Sequence, residues 1–361
     1  MHGVRGARGR RRVTRLVRRA VRGALWYREQ ARLVAHLRRL RPDVVQLGDL
    51  RFGADLLPLA ALRASGLRLA DVCHNVRPFA AGGRRAGGFG AGRLSRTLYR
   101  RAYRLADVVF VHGEGNRRRF LDTWGAEPAK VRSIPLGSFR LFDELRDPAA
   151  TPEALRRRLG LDSGAPVVLF FGTLARYKGV DLLVDAFARV RARLPEARLV
   201  VAGFPLPGAG GVAPAELIER ARHLGVEEAV RVVPEYLPSP QVAAWMKLAA
   251  AAVFPYREIS QSAALQVAAS FGVPVVATAV GGTTDVVRNG ETGLLVPAGE
   301  GEETVAALAR ALERLLRDRD LARRLGGRAA EEAGTRGSWR GVAREVLAAY
   351  RELLPEREGA G

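Results

Sequence analysis

Polar residues follow two apolar segments in the second half of the chain, and their types suit phosphate binding. Lys178 ends the first polar turn, Gly172–Lys178, which comes directly after Val167–Phe171. The chain contains only three lysines among 59 basic residues, so a lysine at this place is an informative choice. On a strand-to-helix turn, its ammonium is a flexible point charge that can reach a diphosphate. The turn therefore predicts a diphosphate contact through Lys178; the alternative is a solvent-exposed turn lysine.

The second polar turn, Arg257–Ser262, follows the apolar strand candidate Ala251–Phe254 and precedes a helix that is expected to begin at Ala263. The first amides of a helix lack intrahelical acceptors and lie at the positive end of its dipole, so they suit an anion. We therefore predict that Ser262 and the amides of Ala263 and Ala264 bind a phosphate. The alternative is that Ser262 is only the helix N-cap, although the two roles can coexist.

A glycine-rich turn completes the predicted pocket. Gly281, Gly282 and Thr283 follow the buried-type strand Val273–Ala277, and small residues at such a place permit close approach of a ligand. Asp285, just beyond them, is expected to cap a helix rather than to act as a base. In open α/β sheets ligands bind at the carboxyl ends of the strands, so these turns predict a phosphate pocket on one sheet edge.

Alternating short strands and helices must position these turns. In order along the chain, the predicted strands are Asp43–Leu47, Leu67–Cys73, Asp107–His112, Lys130–Ile134, Val167–Phe171, Ala197–Ala202, Val230–Val233, Ala251–Phe254 and Val273–Ala277. This alternation is typical of parallel, helix-covered sheets, and 361 residues favour two domains. We assign 1–146 to an N-terminal Rossmann-like domain, 147–336 to a second domain and 337–361 to a C-terminal helix. The segment Asp147–Leu161 is the expected connection.

The composition indicates a globular protein outside the membrane-spanning class. It is 48% hydrophobic, and no apolar run approaches the roughly 18–20 residues of a membrane span. The N-terminus has no apolar core segment or cleavage site of a signal peptide. Cys73 is the only cysteine, which excludes an intrachain disulfide and a cysteine cluster for zinc. A cytoplasmic location is therefore expected.

The net charge of +22 is concentrated at the start of the chain. Residues 1–41 hold fourteen arginines and one acid, Glu29, which predicts an anionic partner. Apolar residues recur at helical spacing on the face opposite these arginines, so a basic amphipathic helix is predicted over 10–40. Trp26 and Tyr27 in this helix are residue types favoured at a lipid interface. An anionic membrane surface is the expected partner and nucleic acid the weaker alternative, since no nucleic-acid-binding module is recognised. An ordinary surface helix is the remaining interpretation.

Five segments together resemble glycosyltransferase family 4, the retaining nucleotide-sugar enzymes of GT-B fold. They are VVLFFGTLARYKGVDLLVDAF (Val167–Phe187), PVVATAVGGTTDVVRNGETGLLVPAG (Pro274–Gly299), IPLGSFRLF (Ile134–Phe142), HNVRP (His74–Pro78) and SWRGVAREVLAAYRELL (Ser338–Leu354). The resemblance covers roughly residues 42–355 and is strongest in the C-terminal half. It implies an α/β protein with two Rossmann-like domains facing a cleft and a final helix that crosses back to the first domain. The N-terminal domain is expected to lack the family's first strand–helix unit or two. A Gly/Arg-rich segment, Phe79–Arg93, is expected to be a mobile loop over the cleft or disordered.

The resemblance assigns roles to the residues of the predicted pocket. Lys178 matches the family's lysine that contacts the donor diphosphate and assists departure of the leaving group. The family's usual arginine directly follows the glycine that matches Gly172, and this chain has Thr173 there. Arg176 or Arg257 is expected to supply that charge instead.

The first domain is expected to contribute a histidine. His74 matches a family histidine that lies near the reacting sugar and often contacts its 6-hydroxyl; a buried strand-end histidine is the alternative. His112 has the same placement but matches no motif, so it is expected to be a buried strand-end histidine without a role in the reaction.

The chain departs from the family at two carboxylates. The family typically has two glutamates in this region, and the matching positions hold Ile259 and Val267. The carboxylate that usually holds the donor ribose is therefore absent, while Glu258 could substitute for the other after a small shift. Asp318-Arg319-Asp320 has the form of a metal motif but lies in an Arg-rich helical segment, so no metal site is expected.

We therefore predict a metal-independent hexosyltransferase-like enzyme. It would move a sugar from a nucleotide-sugar, such as a UDP- or GDP-sugar, to a cell-envelope, lipid-linked or polysaccharide acceptor, and would need no cofactor. It would be cytoplasmic or peripheral at the inner face of the plasma membrane. The alternative is a catalytically weakened or inactive GT-B protein that acts as a nucleotide-binding or partner subunit.

Overall fold

Two parallel β-sheets organise the protein. The computed structural model describes residues 4–48, 50, 55–76 and 93–354, and within these ranges it describes side chains from residue 21 onward, except at residue 93. The strands are β1 Val44–Gly48, β2 Arg68–Cys73, β3 Val108–His112, β4 Val131–Ile134, β5 Val167–Phe171, β6 Arg198–Ala202, β7 Val230–Val233, β8 Ala251–Phe254, β9 Val275–Thr278 and β10 Leu294–Val296. The first sheet has the order β1-β2-β3-β4 and the second β10-β9-β8-β5-β6-β7. The predicted two-sheet α/β architecture is confirmed.

Helices connect and cover the strands. They are α1 Val4–Leu40, α2 Leu56–Arg63, α3 Arg93–Leu105, α4 Glu114–Trp124, α5 Leu141–Glu144, α6 Pro152–Leu159, α7 Val180–Arg193, α8 Pro214–His223, α9 Val242–Leu248, α10 Ala263–Ser270, α11 Thr283–Val286, α12 Glu302–Arg317, α13 Arg319–Gly334 and α14 Trp339–Leu353. No helix among the described residues is both long enough and apolar enough to span a bilayer. Of the segment Phe79–Arg93, expected from the sequence to be a mobile loop over the cleft or disordered, residues 79–92 lie outside the described residues.

All strand pairs are parallel, which explains their apolar sequences. β5 pairs with β6 on one side and β8 on the other, so it lies at the centre of the second sheet. Its residues Val167, Val168, Leu169 and Phe170 are fully buried. Strands covered on both faces by helices read as continuous apolar runs rather than alternating ones. The carboxyl ends of β5 and β8 therefore lie side by side, and this brings the two polar turns together.

The second core begins earlier in the chain than the predicted boundary at 146/147. Phe139 and Phe142 already pack against the hydrophobic core of the second sheet, and Leu155 of α6 is buried in it. The chain therefore changes domain close to Pro135–Ser138, directly after β4. The sequence placed the boundary too late because Pro148 and Pro152 suggested a linker, whereas Pro152 is the first residue of α6.

The last described helix belongs to the first sheet. Val342 and Ala349 of α14 are buried together with Ala70, Val108 and Phe110 of β2 and β3. Between α13 and α14 the chain thus returns to the N-terminal domain. At this return, Trp339 lies against Gly137, where a β-carbon would come within 2.7 Å of the indole ring.

Candidate active site

Lys178 lies at the carboxyl end of β5, inside the protein rather than on its surface. The side chain is buried, and its Nζ lies 5.7 Å from the Tyr256 ring centroid and 6.0 Å from that of Tyr177. A β-carbon built at Gly172 would come within 3.0 Å of Nζ, so the lysine folds back over that glycine. Within the described part of the chain no carboxylate lies within 4 Å of the ammonium. The alternative of a solvent-exposed turn lysine is therefore wrong.

This environment perturbs the lysine's proton affinity. Burial lowers the pKa of Lys178 to about 8, because little water and no carboxylate stabilise the charged form. The aromatic faces offer only a weak cation–π attraction at this distance. A buried cation without a counter-ion is costly unless an anion can join it, so the site is suited to an anionic ligand.

Ser262 is the N-cap of α10 and lies beside the same aromatic ring. Its Oγ accepts a hydrogen bond from the Leu265 amide at 3.1 Å and lies 2.8 Å from the Tyr256 hydroxyl. Ala264, in the first turn of α10, has its Cβ 3.6 Å from the position of a Gly172 β-carbon. Tyr256 is completely buried. Its ring faces the Lys178 ammonium and its hydroxyl lies beside Ser262. The two polar turns meet as the sequence predicts, with Tyr256 as a link that sequence reasoning missed.

The glycine-rich turn lies against the loop that precedes α10. A β-carbon at Gly281 would come within 1.6 Å of the Ile259 carbonyl, and one at Gly282 within 2.4 Å of the Ser260 carbonyl. Gly281 also has a φ of +49°, a conformation that favours glycine. The buried Thr283 hydroxyl donates to the carbonyl of Thr278. These two glycines therefore serve backbone-to-backbone packing, and Ala263 lies at the start of the helix that this packing positions.

Two arginines predicted to contact the diphosphate have carboxylate partners. Arg257 forms a two-pronged ion pair with Asp181, with both distances 2.8 Å, and also donates to the Arg176 carbonyl. Arg176 is exposed and pairs with Glu216 of α8 at 3.1 Å. Arg257 thus ties the second turn to the first, because Asp181 lies in the first turn of α7. A direct phosphate contact from either arginine would require these pairs to rearrange, so Lys178 is the better-placed cation.

The first domain presents two histidines, not one, to the loop before α10. The His112 Nε2 lies 3.2 Å from the His74 Nδ1, and the Gln261 amide donates to the His74 carbonyl at 2.9 Å. His74 is exposed, which argues against a buried strand-end role. His112 is half-buried, and burial lowers its pKa to about 4, assisted by the neighbouring His74 and opposed by a hydrogen bond to Pro135.

Asp285 joins the two domains. Its carboxylate accepts a hydrogen bond from the Gly115 amide at 3.1 Å, at the start of α4. Asp285 is thus a helix cap, as expected, but for a helix of the other domain. Burial raises its pKa, the Gly115 amide opposes this shift, and the nearby Glu114 adds to it. A second polar contact lies next to it, since the Asn116 amide donates to the Ser260 carbonyl at 2.6 Å.

An inter-domain cavity of about 290 Å³ lies beside these contacts. Its wall includes His112 from the first domain and Gln261, Ser262 and Asp285 from the second. The N-cap of α10 and His112 therefore border one space between the domains.

The remaining residues named from the sequence lie outside the group formed by Lys178, Tyr256 and Ser262. Glu258 is exposed, whereas Ile259 and Val267, which occupy the family's carboxylate positions, are buried in the apolar core. Thr173 is half-buried beside Gly172. In the Asp318-Arg319-Asp320 segment, Asp318 caps α13 by accepting from the Leu321 amide. Among the described residues no cluster of three or more histidine, cysteine or acidic side chains is arranged to hold a metal ion.

Comparison with known families covers most of the chain. A model described as glycosyl transferases group 1 matches residues 152–332, and one described as Glycosyltransferase Family 4 matches residues 2–137. The D-inositol 3-phosphate glycosyltransferase of Nocardia farcinica is 37% identical over 258 residues, which are 71% of this chain and 54% of that protein. The one from Kribbella flavida is 37% identical over 250 residues, or 68% of this chain and 56% of that protein. The chain thus spans about half the length of the curated relatives it matches.

Solved structures share the fold. Sucrose-phosphate synthase from Thermosynechococcus elongatus superposes with a TM-score of 0.66 at 25% identity, over 88% of this chain and 75% of the other. Anabaena Alr3699/HepE in complex with UDP gives a TM-score of 0.69 at 19% identity, over 90% and 82%. The GT-B fold expected from the sequence is confirmed.

Proposed function

The chain belongs to glycosyltransferase family 4, and on that premise we propose that it is a retaining enzyme that transfers a sugar from a nucleotide-sugar donor to an acceptor. The observation that carries this proposal is the buried Lys178 beside the N-terminus of α10. The ammonium and the helix amides would neutralise the diphosphate that leaves when the glycosidic bond of the donor breaks. Under this proposal the reaction needs no metal ion or other cofactor.

The proposed donor lies across the carboxyl edge of the second sheet. Its diphosphate would contact Lys178, Ser262 and the first amides of α10. The sugar would point towards His74, because His74 contacts Gln261 on the same loop as Ser262. The base would extend the other way, over β6 and β7, where the exposed rings of Phe204 and Tyr236 lie 6.3 Å apart. Related structures support a uridine nucleotide, since Anabaena Alr3699/HepE was solved with UDP and with UDP-glucose.

Replacement of Ser262 tests the phosphate contact without removing the helix cap. Aspartate caps helices as well as serine does, so Ser262→Asp is expected to keep α10 intact. Its carboxylate would repel the diphosphate, so stabilisation by UDP and GDP is expected to disappear. In the wild type, a saturating nucleotide at about 100 Kd adds about 2.7 kcal/mol to the free energy of unfolding.

The measurement is thermal unfolding with UDP, GDP, UDP-glucose and GDP-mannose. Ser338→Asp is the matched control, because Ser338 caps α14 by the same contact, to the Gly341 amide at 3.1 Å. The control should respond to nucleotide like the wild type. An equal response of Ser262→Asp would contradict the proposed phosphate site, and no response of the wild type to any nucleotide would contradict the proposed function.

The acceptor is proposed to be a cell-envelope, lipid-linked or polysaccharide glycan. The names of the two curated relatives supply a further candidate, D-inositol 3-phosphate, which belongs in the same assay. Transfer from the donor that stabilises the protein best, measured with each acceptor in parallel, distinguishes these classes.

The N-terminal helix is proposed to contact an anionic membrane. The C-terminal part of α1 packs on the first domain through the buried Val34, whereas Val21, Leu25, Tyr27 and Leu33 are exposed. An ordinary surface helix would bury its apolar residues on the domain. Basic helices with exposed apolar residues bind anionic lipid surfaces.

Vesicle sedimentation tests this contact. Binding is expected to phosphatidylglycerol-containing vesicles but not to pure phosphatidylcholine ones, and it should weaken at high salt. Leu25→Asp should reduce binding, whereas Leu57→Asp, which changes an equally apolar exposed residue on α2, should not. Equal binding to DNA and vesicles, or equal loss in both variants, would count against the membrane proposal.

A second candidate function is a nucleotide-binding partner subunit without efficient transfer. The buried Ile259 and Val267 favour it, because neither position can present a carboxylate to the donor. Nucleotide stabilisation of the wild type without any turnover of the same nucleotide-sugar would support this candidate over the first.

A further inference from the structure

We propose that His112 is a positioning residue that holds His74 in one tautomer, with the proton on Nδ1 and an unprotonated Nε2 available to the cleft. The inference rests on the proposed function for its catalytic meaning, because His74 is the residue proposed to face the donor sugar. The tautomer itself is a property of the free protein and can be measured without any substrate.

The two rings form a hydrogen-bonded chain that ends on the backbone. His74 follows β2 and His112 ends β3, and these neighbouring parallel strands bring the two side chains to the same sheet edge. The His112 Nε2 lies 3.2 Å from the His74 Nδ1, and the ring planes are inclined by only 26°. On its other side, the His112 Nδ1 lies 3.3 Å from the Pro135 carbonyl oxygen.

The Pro135 carbonyl, at the end of this series of hydrogen bonds, determines which atom donates in each of them. A carbonyl oxygen can only accept, so the hydrogen bond to Pro135 requires the proton of His112 to be on Nδ1. A neutral imidazole has a single N–H, so the His112 Nε2 is then an acceptor. Within the described part of the chain, the group that lies within hydrogen-bond distance of this nitrogen and can donate to it is the His74 Nδ1–H. In neutral His74 the remaining nitrogen, Nε2, therefore carries a lone pair.

His112 must stay neutral for this arrangement, and its surroundings favour that state. Its ring is half-buried against Pro135, and the lowered pKa of about 4 keeps it neutral near pH 7. His74 lies beside the ring, and the other charged or titratable groups that share the cavity wall with His112 are Glu114 at the start of α4, Asp285 of α11, Arg288, Glu332 of α13 and Arg336. The Asp285 carboxylate accepts its hydrogen bond from the Gly115 amide rather than from the ring.

Gln261 is consistent with the same tautomer. Its amide nitrogen donates to the His74 carbonyl at 2.9 Å and lies 3.5 Å from the Nδ1. An amide N–H has no acceptor at an Nδ1 that already carries a proton, so the carbonyl is its partner. An unprotonated His74 Nε2 would accept a hydrogen bond from a sugar hydroxyl, which a protonated Nε2 would not.

Two substitutions of His112 separate hydrogen bonding from packing. His112→Gln places an acceptor oxygen near the Nε2 position, whereas His112→Phe fills the ring volume without any acceptor. We expect His112→Phe to lower kcat/KM for transfer by roughly tenfold, the effect of one lost hydrogen bond, and His112→Gln to recover most of that loss. UDP affinity should not change in either variant, since the hydrogen bonds of the His112 ring are with His74 and Pro135 rather than with Lys178 or Ser262. His223→Phe, on the exposed end of α8, should leave all values unchanged.

The decisive measurement is the long-range ¹H–¹⁵N spectrum of the His74 ring, assigned with His74→Gln. In the wild type and in His112→Gln, Nδ1 should be protonated and Nε2 bare; in His112→Phe the spectrum should change to a mixture or to the Nε2–H form. An unchanged His74 tautomer in His112→Phe would overturn the inference. An equal loss of kcat/KM in both His112 variants, together with an equal loss of thermal stability, would also overturn it. If the wild type transfers no sugar, the proposed function fails, while the spectrum still decides the tautomer.

Discussion

Lys178→Met is expected to lower sugar transfer by about 10²–10³-fold while making the protein more stable. Methionine keeps the apolar stem and removes the ammonium, so the leaving diphosphate loses its buried cation. Loss of one preorganised electrostatic group costs about 10²–10³-fold in turnover. At the same time, a buried charge without a carboxylate partner is removed, which should raise the free energy of unfolding on the order of 1–3 kcal/mol at pH 7. Single-turnover transfer or donor hydrolysis, together with denaturant unfolding, measures both effects.

Lys247→Met is the control for this substitution. Lys247 is exposed on α9, outside the two polar turns, and pairs with Asp143 at 2.6 Å. Its loss should leave turnover unchanged and lower stability slightly or not at all. Lys178→Met with wild-type turnover would contradict the assignment of Lys178 as the diphosphate ligand.

The lowered pKa of Lys178 also predicts a pH dependence. The folded-state pKa is about 8 and the ordinary value 10.5, so between these values the unfolded chain binds the proton more tightly. The contribution of this group to stability therefore rises with pH across that window and is absent in Lys178→Met. Nucleotide affinity should change in the opposite sense, weakening above about pH 8 as the ammonium loses its proton. A wild-type affinity that is flat from pH 7 to 10 would count against this account.

Gly179→Ala is expected to damage both stability and nucleotide binding. Gly179 has a φ of +63°, and a β-carbon there would lie 2.0 Å from the Pro255 carbonyl oxygen. The substitution must therefore push apart the turns after β5 and β8, which hold Lys178 and Ser262. We expect a loss of about 2–4 kcal/mol in the free energy of unfolding. Nucleotide-induced stabilisation should also be lost.

Gly160→Ala isolates the conformational part of this cost. Gly160 has nearly the same conformation, with a φ of +60°, but nothing lies within 4 Å of its β-carbon position. This control should lose only about 1–2 kcal/mol, the cost of a left-handed non-glycine residue, and should keep its response to nucleotide. Equal losses in the two variants would show that the Pro255 contact is unimportant.

The sequence could predict what depends on local pattern. Continuous apolar runs predicted the buried strands β5 and β8, and Ser262 before a run of small residues predicted the start of α10, where it caps the helix. Lys178 was recognisable because this chain so rarely uses lysine. Each of these inferences needs only neighbouring residues and the rule that parallel strands present their carboxyl ends together.

The sequence could not predict which distant partners the polar side chains choose. Arg257 was expected to face the phosphate, but Asp181, 76 residues away, accepts from both of its terminal guanidinium nitrogens. The contact of Asp285 with Gly115 spans 170 residues and joins two domains. His112 matched no motif, and its proposed role in positioning His74 becomes apparent only when β2 and β3 place the two rings side by side. Such pairings depend on the packed geometry, and no spacing along the chain encodes them.

The return of α14 to the first domain affects the order in which the protein can fold during translation. The face of the first sheet that contains Ala70, Val108 and Phe110 is covered by Val342 and Ala349, which the ribosome makes only after the whole second domain. At a translation rate of 5–20 residues per second, that apolar face remains uncovered by α14 for on the order of ten seconds or more. The second domain has no such dependence, since its core forms from one continuous stretch. Nascent chains halted before α14 should therefore carry a folded second domain and a first domain that chaperones still bind.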